Sequence, residues 1–263
     1  MKNKKELSIG ELCSLQYRDK KLVVPLGYAS RKKLLYINFE RISGLFIAGA
    51  TGTGKSVFID DLIVGLMYKN TPNSVNFLML DPKKIELGEY DGMKYLIGKK
   101  NESSKEKGYD LLLDILKLLE YRVNSLIRTH HRTINGYNRD NKVKWPHIFI
   151  VVDEGCDIIK VKDSFMVFSK ILEFGKAIGV HLIYATNSYL KDYKNSNFLD
   201  KFKYRMTFDL ASEEQAELID IEGASWLKAH GEALLKSPNG KICKFQAPYV
   251  TDEEINNIVL NNK

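Results

Sequence analysis

The sequence predicts an α/β fold: a mainly parallel central sheet flanked by helices, with a small β segment at the amino end. Three observations carry this. Residues 45–48 are an apolar run that meets a glycine-rich turn, and residues 57–68 follow with apolar side chains at helical spacing. Residues 148–152 form an unbroken apolar run ending in Asp153-Glu154. Such runs suit strands of a parallel sheet covered on both faces. Elsewhere apolar runs alternate with amphipathic stretches, the pattern of strand–helix–strand units.

Taken in order, residues 1–20 are polar and read as peripheral. Residues 21–25 and 34–37 read as short strands joined by a turn over 27–33, a β entry to the core. The expected organisation is therefore a β-rich segment, residues 1–40, packing on one larger domain, residues 41–263. After the strand 45–48 and its helix, residues 75–80 form another strand, closed by Asp81-Pro82. Residues 98–107 read as a polar loop. Leu112, Ile115, Leu116, Leu119, Val123 and Leu126 give 109–128 one apolar helical face. Residues 136–144 read as a second polar loop. A helix over 165–177, a strand over 180–185 and a polar, irregular stretch over 191–203 follow. Then come a strand at 205–210, a helix at 213–219 and a hairpin of 232–235 with 241–246 around Pro238-Asn239-Gly240. Thr251 and Glu254 are spaced as a capping box that opens a last helix.

Composition narrows the function. With 263 residues and 44% hydrophobic content the chain can bury a full core. No run approaches the ~18 apolar residues of a membrane span, and the lysine-rich start has no apolar segment behind it, as a signal peptide would. Cys13, Cys156 and Cys243 are far apart and odd in number, which suits reduced thiols in a cytoplasmic protein. Neither cysteine nor histidine spacing suggests a zinc site. The net charge of +7 favours a polyanionic partner.

The chemistry centres on residues 49–56, Gly-Ala-Thr-Gly-Thr-Gly-Lys-Ser, which fit G-x-x-x-x-G-K-[ST]. A strand, a glycine-rich turn and a helix N-terminus bring free backbone N–H groups and the positive helix end to one spot. Gly49, Ala50, Thr51, Gly52, Thr53, Gly54, Lys55, Ser56 and Val57 would thus cradle the phosphates of ATP. Lys55 would reach the β- and γ-phosphates, and Ser56 would ligate Mg²⁺. Asp153 would complete the metal shell and Glu154 would act as general base toward water. Asn187, just past the strand 180–185, would sense the γ-phosphate or form a polar turn. Asp81-Pro82-Lys83-Lys84 reads either as a rim near the nucleotide or as a simple turn.

Several blocks together resemble the motor domain of the FtsK/SpoIIIE family of DNA translocases. They are residues 45–57 around the phosphate loop, Leu80-Asp-Pro-Lys-Lys-Ile-Glu-Leu87, and Glu120-Tyr-Arg122 with Tyr137-Asn138. Residues 150–157 around Asp153-Glu154, and Ala177-Ile-Gly-Val-His-Leu-Ile-Tyr-Ala-Thr-Asn187, follow in the same order. Residues 222–224, 231–234 and 249–255 fit its closing segment. The resemblance implies a RecA-like P-loop ATPase, a homohexameric ring and ATP-driven movement along double-stranded DNA.

Where the family carries an arginine finger acting in trans, this chain has Lys176, a point charge without the bidentate fork. Ser188 replaces a DNA-facing arginine, and Glu213 and Glu217 stand at usually basic positions. Lys191, Lys194, Lys201 and Lys203 are the candidate replacements for DNA contacts. The chain ends near the family's last motor helix, so no winged-helix module and no membrane anchor are expected. A plasmid or mobile element is the expected setting. The alternatives are a conjugative coupling ATPase with a membrane-bound or relaxase-type protein partner, a protein-secretion ATPase of the same superfamily, and a nucleotide-gated DNA-binding assembly protein with weak hydrolysis. A P-loop kinase lacks an arginine-rich lid here.

Overall fold

The computed structural model describes residues 8–15, 20–29, 33–83, 86–98, 105–160, 163–187, 197–210, 212–227 and 230–263. Helix α1 (Ile9–Leu15) precedes the hairpin of β1 (Val23–Ala29) and β2 (Leu34–Asn38). Strand β3 (Gly44–Ala48) leads into helix α2 (Lys55–Met67), and β4 (Val75–Leu80) into α3 (Lys105–Arg128) and α4 (Ile134–Asp140). Next come β5 (His147–Val152), the short α5 (Gly155–Ile158), α6 (Ser164–Ile178) and β6 (Val180–Thr186). The chain closes with β7 (Tyr204–Thr207), α7 (Glu213–Ile219), β8 (Glu232–Lys236), β9 (Ile242–Gln246) and α8 (Asp252–Leu260).

All these strands lie in one nine-stranded sheet, ordered β2-β1-β9-β8-β7-β3-β6-β5-β4. The run β7-β3-β6-β5-β4 is parallel, and β8, β9, β1 and β2 add to it antiparallel. The amino-terminal hairpin is therefore joined to the main sheet, through the pairing of Tyr28 and Ala29 with β9.

The period-two pleat divides the core. Leu45, Ile47, Phe149, Val151 and Ile183 point to one face, under α1, α2 and α8. Phe46, Ile148, Ile150, Leu182 and Tyr184 point to the other, under α3 and α6. Helix α2 is apolar almost all round and correspondingly buried, with Phe58, Ile59, Leu62, Ile63, Val64 and Leu66 all inside. Truncating a side chain such as Phe149, fully enclosed in this core, costs about 3–5 kcal/mol.

Four sequence expectations need correction. Residues 9–15 are a helix docked on the core, because Ile9, Leu12 and Cys13 share one buried face. Strand β1 runs through Gly27 to Ala29, with a register irregularity between Pro25 and Gly27, because distant β9 gives its end a partner. Residues 136–140 belong to helix α4, whose start is capped by the Thr133 side chain accepting from Gly136 N–H and anchored by buried Ile134. Strand β7 stops at Thr207: Phe208 N–H bonds Ala48 C=O and Ala50 N–H bonds Asp209 C=O, which ties the next residues to the phosphate loop.

Candidate active site

The carboxyl ends of β3, β4, β5 and β6 converge on one edge of the sheet, where α/β proteins place ligands. The phosphate loop leaves β3 there. Gly54 caps α2 with φ 106°, a left-handed conformation that favours glycine, and a Cβ on it would lie 3.2 Å from Gly231 N. Thr53 Oγ1 donates to Ala50 C=O at 2.7 Å, and Gly231 N–H bonds Thr53 C=O. Ala50, Thr51, Gly52, Gly54, Lys55, Ser56 and Val57 all line a cavity of about 1530 Å³. Its far wall carries Tyr28, Gln246, Pro248 and Tyr249, and Glu154 and Asn187 also border it.

The sequence-predicted polar groups meet at this edge. Lys55 Nζ donates to Asp153 Oδ1 at 2.7 Å, with both side chains buried. Two charges this enclosed are stable only as a pair or with a further ligand. Glu154 sits at φ 54°, ψ 48°, a left-handed conformation uncommon for a residue with a side chain. Gly155 follows because Tyr184 stands against it: a Cβ there would be 2.3 Å from the ring. The Tyr184 hydroxyl also donates to Gly155 C=O. The strand end and the aromatic floor thus fix where Glu154 points.

Glu154 Oε1 accepts two hydrogen bonds, from Asn187 Nδ2 at 2.8 Å and from Lys83 Nζ at 2.9 Å. The hydrogen bond to Glu154 raises the Lys83 ammonium above its ordinary range. Lys83 is the residue that sequence reasoning left undecided. Buried Asp81 organises its loop, accepting from Lys83, Glu86 and Leu87 N–H. The signals for this in the sequence were the position of Asp-Pro-Lys directly after a strand and the likeness of residues 80–87 to a block of the family. Next to the site, Cys156 Sγ and Thr186 Oγ1 are 2.9 Å apart, a buried link between α5 and β6.

The arrangement fits a nucleoside triphosphate. Glycine openings at the loop, a buried lysine and a deep cavity suit phosphates, and Asn187 Oδ1 is buried with no partner among the described residues. Asp153 and Ser56 offer the oxygen ligands that a Mg²⁺ takes alongside phosphate oxygens.

Other predicted residues lie elsewhere. Lys176 is exposed in the last turn of α6, where its N–H bonds Ser43 Oγ ahead of β3, at the amino edge of the sheet. It therefore cannot serve its own subunit's phosphate loop. Lys201 and Lys203 precede β7 on that same amino edge. Lys191 and Lys194 lie outside the described residues.

The FtsK/SpoIIIE family model matches residues 13–192. The chain is 32% identical over 259 residues to the DNA translocase FtsK of Leptospira interrogans, covering 94% of this chain and 27% of that protein. It is 31% identical to the DNA translocase FtsK of Lactiplantibacillus plantarum, covering 91% of this chain and 32% of that one. The chain thus spans roughly a third or less of these relatives. Among solved structures, the cytoplasmic domain of the Thermomonospora curvata type VII secretion ATPase EccC superposes with TM-score 0.80 at 19% identity, covering 97% of this chain and 34% of that one. The pCW3 conjugation coupling protein TcpA, in a monomer form with ATPγS, gives TM-score 0.80 at 19% identity over 93% of this chain and 72% of its own. At these identities the likeness establishes the P-loop ATPase fold.

Proposed function

The chain belongs to the FtsK/SpoIIIE family, and from that premise we propose that it hydrolyses ATP to move double-stranded DNA. The observation that carries the reading is the convergence of Lys55, Asp153, Glu154, Asn187 and Lys83 on one cavity. Backbone N–H groups of residues 51, 52 and 54–56 and the Lys55 ammonium hold the phosphates. Ser56 and Asp153 would hold Mg²⁺, which would supply charge neutralisation at the phosphates. Glu154 takes the proton of the attacking water. Its Oε1 is engaged by Lys83 and Asn187, which leaves Oε2 for that water. Tyr28, Pro248 and Tyr249 border the nucleoside end.

Lys176, on the opposite edge, acts on the nucleotide of a neighbouring subunit in a homohexameric ring. Lys191, Lys194, Lys201 and Lys203 contribute DNA contacts. Among the described residues no helix is long and apolar enough to cross a membrane. A cytoplasmic motor that meets any membrane-bound or relaxase-type partner through protein contacts agrees with that.

The reading is tested by phosphate release with and without long double-stranded DNA at low salt, with Lys55→Ala as control. Strong stimulation, abolished in Lys55→Ala, is expected. Hydrolysis indifferent to DNA would favour a protein-secretion ATPase or a requirement for a further partner. The acidic Glu213 and Glu217 of α7, at positions that resemble basic ones in the family, favour that alternative. ATP binding without hydrolysis would favour a nucleotide-gated assembly protein.

A further inference from the structure

We infer that the turn between α3 and β5 is a second polyanion-binding surface, one that grips the phosphate backbone of double-stranded DNA. The inference rests on the proposed DNA substrate and adds a place where it is held. Residues 127–146 present Arg128, Arg132, Arg139, Lys142 and Lys144 on the surface, against a single acid, Asp140. Asp140 is already occupied: Arg139 Nε donates to it at 2.9 Å, and His131 Nε2 lies 3.1 Å away. Arg139 first, then His131, hold its carboxyl below the ordinary range. The Lys144 ammonium is turned onto Asn138 C=O. Among the described residues, no acidic side chain pairs with Arg128, Arg132 or Lys142.

The surface is rigid underneath. Tyr137 stacks on Trp145 with ring centroids 3.9 Å apart. Asn138 brackets the Trp145 backbone, donating to its C=O and accepting from its N–H, both at 2.8 Å. Buried Arg122 lies against the Trp145 ring and donates to Ile178, Gly179 and Pro146 C=O. The resembling Arg122 and Tyr137-Asn138 blocks thus build a platform, and the exposed cations are carried on top of it. Cations on a pre-ordered surface lose less freedom on binding.

Position supports the assignment. In sheet order, Lys201 and Lys203 stand before β7, and Lys142 and Lys144 before β5. Cations therefore recur along the amino edge, with exposed Glu173 and Asp200 between them. Cations spread over a surface suit a phosphate backbone, which is read as charge without sequence.

The test is binding of a fluorescein-labelled 30-base-pair duplex to the full chain between 50 and 200 mM NaCl, followed by anisotropy. The Arg128→Gln/Arg132→Gln/Lys142→Gln variant is expected to bind about tenfold or more weakly at 50 mM, with a log–log salt slope shallower by about 2 to 3. Lys20→Gln/Lys33→Gln/Lys94→Gln removes the same charge elsewhere and is expected to stay close to wild type. Arg128→Lys/Arg132→Lys keeps the charge and is expected to keep binding, which separates charge from misfolding. Wild-type affinity in the glutamine variant, or equal losses in the two triple variants, would overturn the inference alone. Displacement of the duplex by poly-glutamate at equal charge would assign the surface to an acidic protein and overturn it too. No duplex binding by the wild-type chain would instead remove the DNA reading itself.

Discussion

The two edges of the parallel sheet arrange their cations differently: paired inside a cavity at one, spread on the surface at the other. At the carboxyl edge Lys55 is paired with Asp153 and Lys83 with Glu154, and Asp81 accepts from the Lys83 N–H. At the amino edge Arg128, Arg132, Arg139, Lys142 and Lys144 are exposed ahead of β5, and buried Arg122 and two imidazoles lie beneath. His147 Nδ1 and His181 Nε2 are 3.0 Å apart, and His181 Nδ1 lies 3.0 Å from Ile42 C=O. If His181 donates to that carbonyl, its Nε2 accepts from His147, and both rings are neutral. In the proposed reading, one chain holds ATP at its carboxyl edge and DNA at the part of its amino edge ahead of β5 and β7. Strand β6 connects the two, running from His181 at one end to Thr186 at the other, next to Asn187.

The comparison can be broken most forcefully at Glu154. Glu154→Gln keeps the hydrogen-bonding oxygen but removes the base, and is expected to slow hydrolysis by about 10²–10⁴-fold while ATP still binds. Steady-state phosphate release together with fluorescent-nucleotide binding checks this. An unchanged rate would mean that another group activates the water.

Lys83→Met is the next largest effect. Loss of one charge-assisted bond to Glu154 should lower kcat about tenfold with little change in the KM for ATP, and Lys83→Arg should recover part of it. A change confined to KM would mean that Lys83 touches the nucleotide instead of positioning Glu154.

Stability against pH sharpens the contrast between the edges. Burial lowers His147 to about 3 and His181 to about 4. Their folded values lie below the unfolded value of about 6.5, so their contribution is present above that pH and is lost as pH falls toward 3. Between pH 8 and pH 5 the pair should cost roughly 2 to 4 kcal/mol of unfolding free energy. Asp60 and Asp61 on α2 run the other way. Burial raises both well above the ordinary carboxylate range, so their contribution fades as pH rises. Urea unfolding of wild type and His147→Gln/His181→Gln at both pH values isolates the imidazole part as a difference. Equal pH slopes in the two proteins would contradict it.

The smallest effect concerns Asp61 alone. It is 1% exposed and neither carboxyl oxygen has a hydrogen-bond partner among the described residues. Asp61→Asn should therefore raise stability at pH 8, by about 1 kcal/mol. A loss of that size would mean that the carboxylate has a role that its surroundings do not reveal.

The parts legible in the sequence were those whose chemistry is local. The phosphate loop lies between its own strand and helix, and the Asp153-Glu154 pair closes an uninterrupted apolar strand. The hairpin and the Thr251 capping box were legible for the same reason. What stayed hidden depends on distant partners. The ambiguity of Lys83 is resolved by Glu154, 71 residues later. Helix α1 looked peripheral because only Ile9, Leu12 and Cys13 turn inward, onto a core assembled by later elements. Helix α4 looked like a loop because Asn135, Gly136 and Asn138 are poor helix formers, and the Thr133 cap and Trp145 stacking outweigh them.

The division of labour between the edges is the central claim. One measurement tests it directly: duplex binding at low salt, in the presence of ATP, by Glu154→Gln and by Arg128→Gln/Arg132→Gln/Lys142→Gln side by side. The account predicts that the first stays within about threefold of wild-type affinity and that the second falls about tenfold or more. Lost DNA binding in Glu154→Gln, or intact binding in the amino-edge variant, would contradict it.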